Sequence, residues 1–325
     1  MRPYYIFSNG RIMRKENTVY IENEKGEKKG IPIEDIDVLH LFAELDLNTK
    51  FLNFLSQQNK LLHIYNYYGY YAGSFMPRQK DVSGELVVKQ VMHYLDNEKR
   101  FYLAKCFVEG AIFHTKRNLR EYEGTEEVQK KIEEEMLGLQ KAESIPELMS
   151  YEGRVKDCYY HAFNIILKND FKFIKRERQP PSDPLNALIS FGNSLVYTTV
   201  LSEIYHTQLN PTVSYLHEPR ERRYSLSLDI SEIFKPLICD PIIFKLVNNN
   251  MLKNDDFEED VECCYLTATG RKKFLKEFDE KISSTVKHRK LKRNVSYRTI
   301  IRLECYKLIK HFLEDETYVP FKAWW

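Results

Sequence analysis

At the start of the chain, apolar and β-branched residues come in short runs broken by turn formers. The runs are Tyr4–Phe7, Thr18–Ile21, Lys29–Ile33, Ile36–Leu41 and Leu61–Tyr65, with Ser8-Asn9-Gly10 and Glu24-Lys25-Gly26 between the early ones. Runs of this length and composition predict strands, and the glycine-containing breaks predict turns. One segment departs from the pattern. Phe51, Leu52, Phe54 and Leu55 recur at helical spacing behind Asn48-Thr49, which can cap a helix. Residues 1–77 therefore predict a small β-rich domain with one helix.

Beyond Pro77 the apolar period becomes helical: Val87, Val88, Val91, Tyr94 and Leu95 share a face, and Phe101–Asn118 runs on without a proline. Val155, Tyr159, Phe163 and Ile166 predict an amphipathic helix over 155–168, with Glu152 near its beginning. Asp183-Pro184 reads as a helix start, an N-cap carboxylate followed by proline at the first helical position. The stripe Leu188, Ile189, Leu195, Val196, Val200, Ile204 carries that helix to about Tyr205. Later helices are predicted over 226–235, 241–248, 271–283 and 297–312. The fold class is α+β: a β-rich domain over 1–77 and a larger all-α domain over 78–325, divided where the period switches near Met76-Pro77-Arg78.

Composition narrows the class without choosing a function. At 325 residues and 43% hydrophobic, the chain can bury a sizeable core and is not disordered. It has no run of 18 apolar residues, so no membrane span is expected, and its start lacks a signal-peptide core. A cytoplasmic protein is expected. The cysteines Cys106, Cys158, Cys239, Cys263, Cys264 and Cys305 contain no C-x-x-C pair, so reduced thiols are expected rather than a disulfide framework or a zinc site. The balance of 49 Lys+Arg against 47 Asp+Glu hides opposed clusters. One is acidic, over 255–262, and reads as a solvated loop; the other is basic, over 287–293, with Arg298 and Arg302 beyond it.

Tyr215–Arg220 is polar, follows Asn210-Pro211 and reads as a loop. In the helix that follows, Asp229 and Glu232 are three apart and share a face, with Lys235 one turn later. A loop histidine followed by two helical carboxylates is a possible divalent-metal constellation, because carboxylate oxygens suit Mg²⁺ and an imidazole also admits Mn²⁺. Read singly, each residue has a plainer explanation. Asp229 and Glu232 read as surface helix charges, His217 as a hydrogen-bonded loop residue, and Glu152 as a dipole partner early in its helix.

Read in order, the motifs say more. Tyr151-Glu152-Gly153 before an aromatic-rich helix, the 185–205 helix, Leu216-His217-Glu218-Pro219-Arg220 and Ser227–Pro236 together resemble the CRISPR-associated endonuclease and integrase family, the catalytic subunit of the spacer-acquisition complex. The resemblance spans nearly the whole chain, and the closing Tyr318–Trp325 is similar to members of one type I branch. It implies Mg²⁺ or Mn²⁺ held by Glu152, His217 and Glu232, with Asp229 as a companion catalytic carboxylate. Some relatives carry Asp where this chain has Glu232, and the small residues often found after the Glu-Gly pair are here Arg154-Val155-Lys156. The implied reaction inserts new spacer DNA into a CRISPR array, a DNA 3′-hydroxyl attacking a phosphodiester with no covalent enzyme intermediate. The implied partners are double-stranded DNA, as donor and repeat, a second copy paired through the N-terminal domains, and a small ferredoxin-like subunit.

Other features divide between binding and plain structure. Arg220 and Lys235 can neutralise phosphate beside the metal, and Arg289, Lys290 and Arg293 can attract the DNA backbone or serve as a solvated face. The aromatic run Tyr65–Tyr71 can stack on splayed bases but reads rather as core or as dimer interface, and Trp324-Trp325 as packing back or docking a partner. Two other functions compete: a free-standing nuclease for branched DNA with water as nucleophile, and a nonenzymatic DNA-binding scaffold.

Overall fold

A computed structural model describes residues 2–79, 81–168, 171–177, 180–219, 224–260 and 263–325. The chain divides into two compact units, Met1–Val82 and Ser83–Trp325, a few residues beyond the period switch. Ser83 marks the division because its side chain accepts the Leu86 N–H and starts the first helix of the second unit.

The first unit contains β1 (Arg2–Ile6), β2 (Gly10–Lys15), β3 (Thr18–Asn23), β4 (Lys28–Pro32), β5 (Ile36–Leu41), β6 (Leu45–Asp46), α1 (Thr49–Gln57), β7 (Leu61–Tyr65) and β8 (Tyr71–Phe75). One sheet has the order β1-β5-β7-β8, parallel except for β8, and the other has the order β4-β3-β2-β6. Their inward residues Ile12, Val19, Ile31 and Leu39 close on Phe51, Phe54 and Leu55 of α1 to form the core. Asn48 caps α1, its Oδ1 accepting the Phe51 N–H at 3.0 Å. The aromatic run splits: Tyr65 is buried and stacks on Phe42, whereas Tyr67 and Tyr68 are exposed in the β7–β8 turn.

The second unit contains α2 (Gly84–Leu95), α3 (Asn97–Arg120), α4 (Glu126–Leu139), α5 (Ile145–His161), α6 (Phe163–Ile166), α7 (Pro184–Tyr205), α8 (Ser225–Phe234), a π-helical turn (Lys235–Cys239) and α9 (Asp240–Asn248). These lead into β9 (Phe257–Asp260), β10 (Cys263–Leu266), α10 (Ala268–Ser283), β11 (Thr285–Lys287), β12 (Asn294–Ser296) and α11 (Tyr297–Phe312). Helix α7 is buried around almost its whole circumference, as a central helix must be when it is apolar on every side. Both α8 and α11 pack on it, and α3 lies across α8. The Asp183 cap holds as expected, Oδ1 accepting the Asn186 N–H at 2.9 Å.

Three expectations are corrected. The second unit is not all-α, since β9 pairs with β10 and β11 with β12 in antiparallel ladders. These strands are three or four residues long, too short for an alternating pattern to stand out. The acidic stretch is not simply a solvated loop, because Asp256 and Phe257 are buried and Asp256 Oδ2 accepts from Lys273 Nζ at 2.7 Å. Helix α5 begins at Ile145, not near residue 155, so Glu152 stands in mid-helix. Its start is set by Ser144, which accepts the Glu147 N–H.

Candidate active site

Glu152 and Lys156 lie one turn apart on α5 and are ion-paired. On the α4 side, a Cβ on Gly138 would fall 2.4 Å from the Tyr151 ring, so glycine there is what lets the two helices close up. Gly153 is different: nothing lies within 4 Å of where its Cβ would be, and the residue is exposed. Glycine in a helix interior costs about 0.5–1 kcal/mol relative to alanine, and no packing inside this chain requires it here.

The His217 loop is built on one carboxylate. Asp229, fully buried in α8, accepts the backbone N–H groups of Tyr215 at 2.7 Å and Leu216 at 3.0 Å on Oδ2. Its Oδ1 accepts the His217 N–H at 3.0 Å and the ring Nδ1–H at 2.8 Å. A ring that donates from Nδ1 leaves Nε2 with its lone pair free for a ligand. Ser214 Oγ donates to the His217 carbonyl at 2.5 Å. The outer side of the loop is tied down by Arg100, which donates to the Tyr215 carbonyl at 3.1 Å and to Glu218 Oε1 at 2.5 Å. Asp229 is therefore neither a surface charge nor a poised ligand: its oxygens are already committed to orienting His217.

Glu232, one turn along α8, is also buried, with 4% of its surface exposed. Its Oε2 accepts from Lys156 Nζ at 2.7 Å and its Oε1 from Lys235 Nζ at 2.6 Å. Burial alone would push the Glu232 carboxyl up, but Lys156, Lys235 and His217 together hold it below the usual carboxylate range. The two lysines move in opposite directions. Burial pulls Lys235 down, whereas Lys156 is raised because Glu232 and Glu152 together outweigh its burial. The structure thus brings Glu152 and Glu232 together on one ammonium. Among the described residues, no three His, Cys, Asp or Glu side chains converge closely enough to hold an ion as they stand.

Beneath this cluster lies a network that sequence reasoning missed. The π-turn gives Asp240 N–H to the Lys235 carbonyl, and Asn118 Nδ2 donates to the Pro236 carbonyl at 2.6 Å and to Tyr159 Oη at 2.9 Å. Tyr159 Oη in turn donates to Asp240 Oδ2 at 2.9 Å, and burial raises the Asp240 carboxyl to about 7. The turn packs tightly on α7, where a Cβ on Gly192 would fall 2.1 Å from Cys239 Sγ. His114 accepts the Ala323 N–H on Nε2 at 3.1 Å, so its Nδ1 carries the proton and donates to the Ile233 carbonyl at 3.0 Å. Asp240-Pro241 is visible as a helix start, but no pattern in the sequence links Asn118, Tyr159 and Asp240.

The basic candidates separate. Lys235 is inside the cluster, and Arg220 lies outside the described residues. Arg289, Lys290 and Arg293 are exposed in the β11–β12 turn, remote in sequence from Glu152, His217 and Glu232. Arg289 stacks on Trp324, which packs edge-on against His288 and Trp325, so the terminal tryptophans fold back onto this unit. Arg298 and Arg302 reach Glu203, buried in α7, with Arg302 Nε at 2.6 Å. No helix among the described residues is long and apolar enough to cross a membrane.

Comparison with known proteins gives this arrangement a family. A protein from Thermodesulfovibrio yellowstonii described as a CRISPR-associated endonuclease Cas1 is 70% identical over the full length of both chains. A solved CAS1 protein from Thermotoga maritima superposes with a TM-score of 0.87 at 38% identity, covering 100% of each chain. A casposase solved bound to integration product shares the fold, with a TM-score of 0.85 at 20% identity over 99% of this chain and 94% of its own. The model of the family described as CRISPR associated protein Cas1 matches residues 4–280, and the chain belongs to that family.

Proposed function

We propose that this chain is a divalent-metal-dependent DNA endonuclease and integrase that inserts spacer DNA into a CRISPR array. One observation carries the reading. Two carboxylates from different helices, Glu152 and Glu232, converge on a single cation, beside a histidine whose ring a buried carboxylate orients. The donor set is hard oxygen plus one imidazole nitrogen, which suits Mg²⁺ or Mn²⁺. The ammonium between the carboxylates marks where a cation is wanted. Glu152, Glu232 and His217 Nε2 would hold the ion, which when bound supplies Lewis acidity at the phosphoryl oxygens and lowers the pKa of the attacking hydroxyl.

The chain's own groups do the rest. Asp229 fixes the ring and keeps the Nδ1 proton in place. Lys235, behind Glu232, offers positive charge near a phosphate. Gly153 leaves the face of α5 next to Glu152 bare, so a nucleic-acid backbone can approach closely. In the reaction, a DNA 3′-oxygen forms a bond to phosphorus and loses its proton, while the bond from that phosphorus to the original 3′-oxygen breaks. The displaced oxygen takes up a proton, and no side chain becomes covalently attached. The names and folds of the relatives support the nuclease and integrase class. The working assembly is a homodimer acting with a small ferredoxin-like subunit.

The test is strand transfer on a supercoiled plasmid bearing a repeat, with a short 3′-hydroxyl duplex, the small subunit, and Mn²⁺, Mg²⁺ or EDTA. Metal-dependent joining is expected, falling by at least about 100-fold in Glu152→Ala and His217→Ala with DNA binding retained. Hydrolysis without joining would point to the branched-DNA nuclease. Binding with no strand chemistry in any metal would leave the scaffold reading.

A further inference from the structure

We propose that Lys156 is a resident cation that holds the metal-free site together and is displaced when a divalent ion binds; the inference rests on the metal-dependent reading above. Among the described residues, its ammonium is the only group that touches both Glu152 and Glu232, carboxylates that stand on separate helices, α5 and α8. Without a positive charge between them the two would repel, and Glu232 would keep only Lys235 on its other oxygen. A divalent ion such as Mg²⁺ lies about 2.0–2.1 Å from the oxygens that bind it. It would need the oxygens that Lys156 now engages, and it would stand close to that ammonium. Like charges at such a separation repel strongly, so ion and ammonium exclude one another.

Lysine suits this exchange. Its charge sits on a flexible four-carbon stem, so it can leave the pair without moving the helix, which a planar guanidinium held by two bonds does less readily. Lys235 is not equivalent: it is bonded to Glu232 and not to Glu152, and its partner Oε1 is not the oxygen facing Lys156. With both lysines in place the carboxylate pair is neutralised, and little attraction for a dication remains. Withdrawing Lys156 restores it. The site is thus metal-responsive: assembled before loading, and costly to load until Lys156 leaves.

The experiment uses full-length, metal-stripped protein without DNA, titrated with Mn²⁺ and followed by electron paramagnetic resonance of the free ion. Lys156→Met is expected to bind Mn²⁺ about tenfold more tightly than wild type. It should also melt at a lower temperature in EDTA and gain more on adding Mn²⁺ than wild type does. If wild type binds Mn²⁺ and Lys156→Met binds it no more tightly, the displacement is wrong while the metal site stands. If Mn²⁺ binding is absent in wild type, or unaltered by Glu152→Gln, the metal-dependent reading itself falls and this inference with it. Should Lys156→Met not fold, lysine acetylation of wild type read by peptide mass spectrometry decides. Lys156 is expected to react faster with Mn²⁺ than with EDTA, relative to the exposed Lys290, and an unchanged ratio overturns the proposal.

Discussion

Four N–H groups converge on the Asp229 carboxylate, three from the backbone of Tyr215, Leu216 and His217 and one from the His217 ring. An asparagine of the same shape cannot replace it. One oxygen becomes an NH₂ that faces donors, leaving buried N–H groups without acceptors and the ring without its anchor. Asp229→Asn is therefore expected to cost about 3 kcal/mol in urea unfolding and to lower DNA joining by about 10–100-fold. His217→Ala removes only the ring and should leave stability far closer to wild type. Equal stability of Asp229→Asn and wild type would show that the loop does not hang on this carboxylate. The sequence revealed that Asp229 and Glu232 share a helix, but not their division of labour. Both look alike at a spacing of three, and only the fold shows that one is spent on backbone N–H groups and the other on lysines.

The π-turn between α8 and α9 is the element that sets Lys235 against Glu232, and its underside is the Asn118–Tyr159–Asp240 network. Asp240 gives that network a pH signature. An unfolded aspartate titrates near pH 3.9, whereas burial holds the folded carboxyl at about 7. Between about pH 4 and 7 the folded chain carries a proton that the unfolded chain has lost, so stability falls as pH rises through that window. Asp240→Asn can still accept from Tyr159 but never ionises. It is expected to match wild type near pH 4 and to exceed it at pH 8, by on the order of 1.4 kcal/mol for each pH unit between the unfolded and folded titrations of Asp240. Urea unfolding at intervals from pH 4 to 8 measures this, and parallel curves for the two proteins would refute it. Glu232 does not blur the result. Its carboxyl is held below the usual range, so its contribution is present above the unfolded carboxylate's pKa and lost only as pH falls below about 4. Elements of this kind were unevenly legible. Helices with a cap and a long stripe, α7 and α11, emerge from the sequence almost to the residue. The start of helix α5 is hard to read because Leu148 is its one buried residue before Val155, so no stripe marks its first turns, and α4, with Ile132 and Leu139 as its buried positions, is missed for the same reason. Strand β2 was missed because Arg11, Arg14 and Lys15 surround its one fully buried residue, Ile12.

Across the whole molecule a net charge of +2 conceals how positive charge is used. Sequence clustering draws the eye to 287–302, yet the structure divides that stretch. Arg298 and Arg302 answer a buried glutamate, Arg289 lies on the Trp324 ring, and Lys290 and Arg293 project at the exposed β11–β12 turn. The tail that supplies Trp324 is itself anchored. Tyr318 Oη and the Phe321 N–H both meet Glu304 Oε1, at 2.5 and 2.9 Å, and Ala323 meets His114. The same histidine bonds the Ile233 carbonyl next to Glu232, tying the tail to the end of α8, while the neighbouring Trp324 packs on His288 at the basic turn. On the proposed function, DNA attraction by the turn and metal binding at Glu152 and Glu232 are separable, because among the described residues those of the turn share no ion pair with Glu152 or Glu232. If the turn lies along the DNA backbone, Lys290→Ala with Arg293→Ala removes phosphate partners that carry no sequence information. Each cation withdrawn from a phosphate should flatten the log–log dependence of DNA affinity on salt by about 0.9. The double variant should bind DNA more weakly at low salt while binding Mn²⁺ as wild type does. Stability should stay within about 0.5 kcal/mol, as for exposed side chains elsewhere. A salt slope identical to wild type would assign the turn to solvent and leave DNA capture to other surfaces.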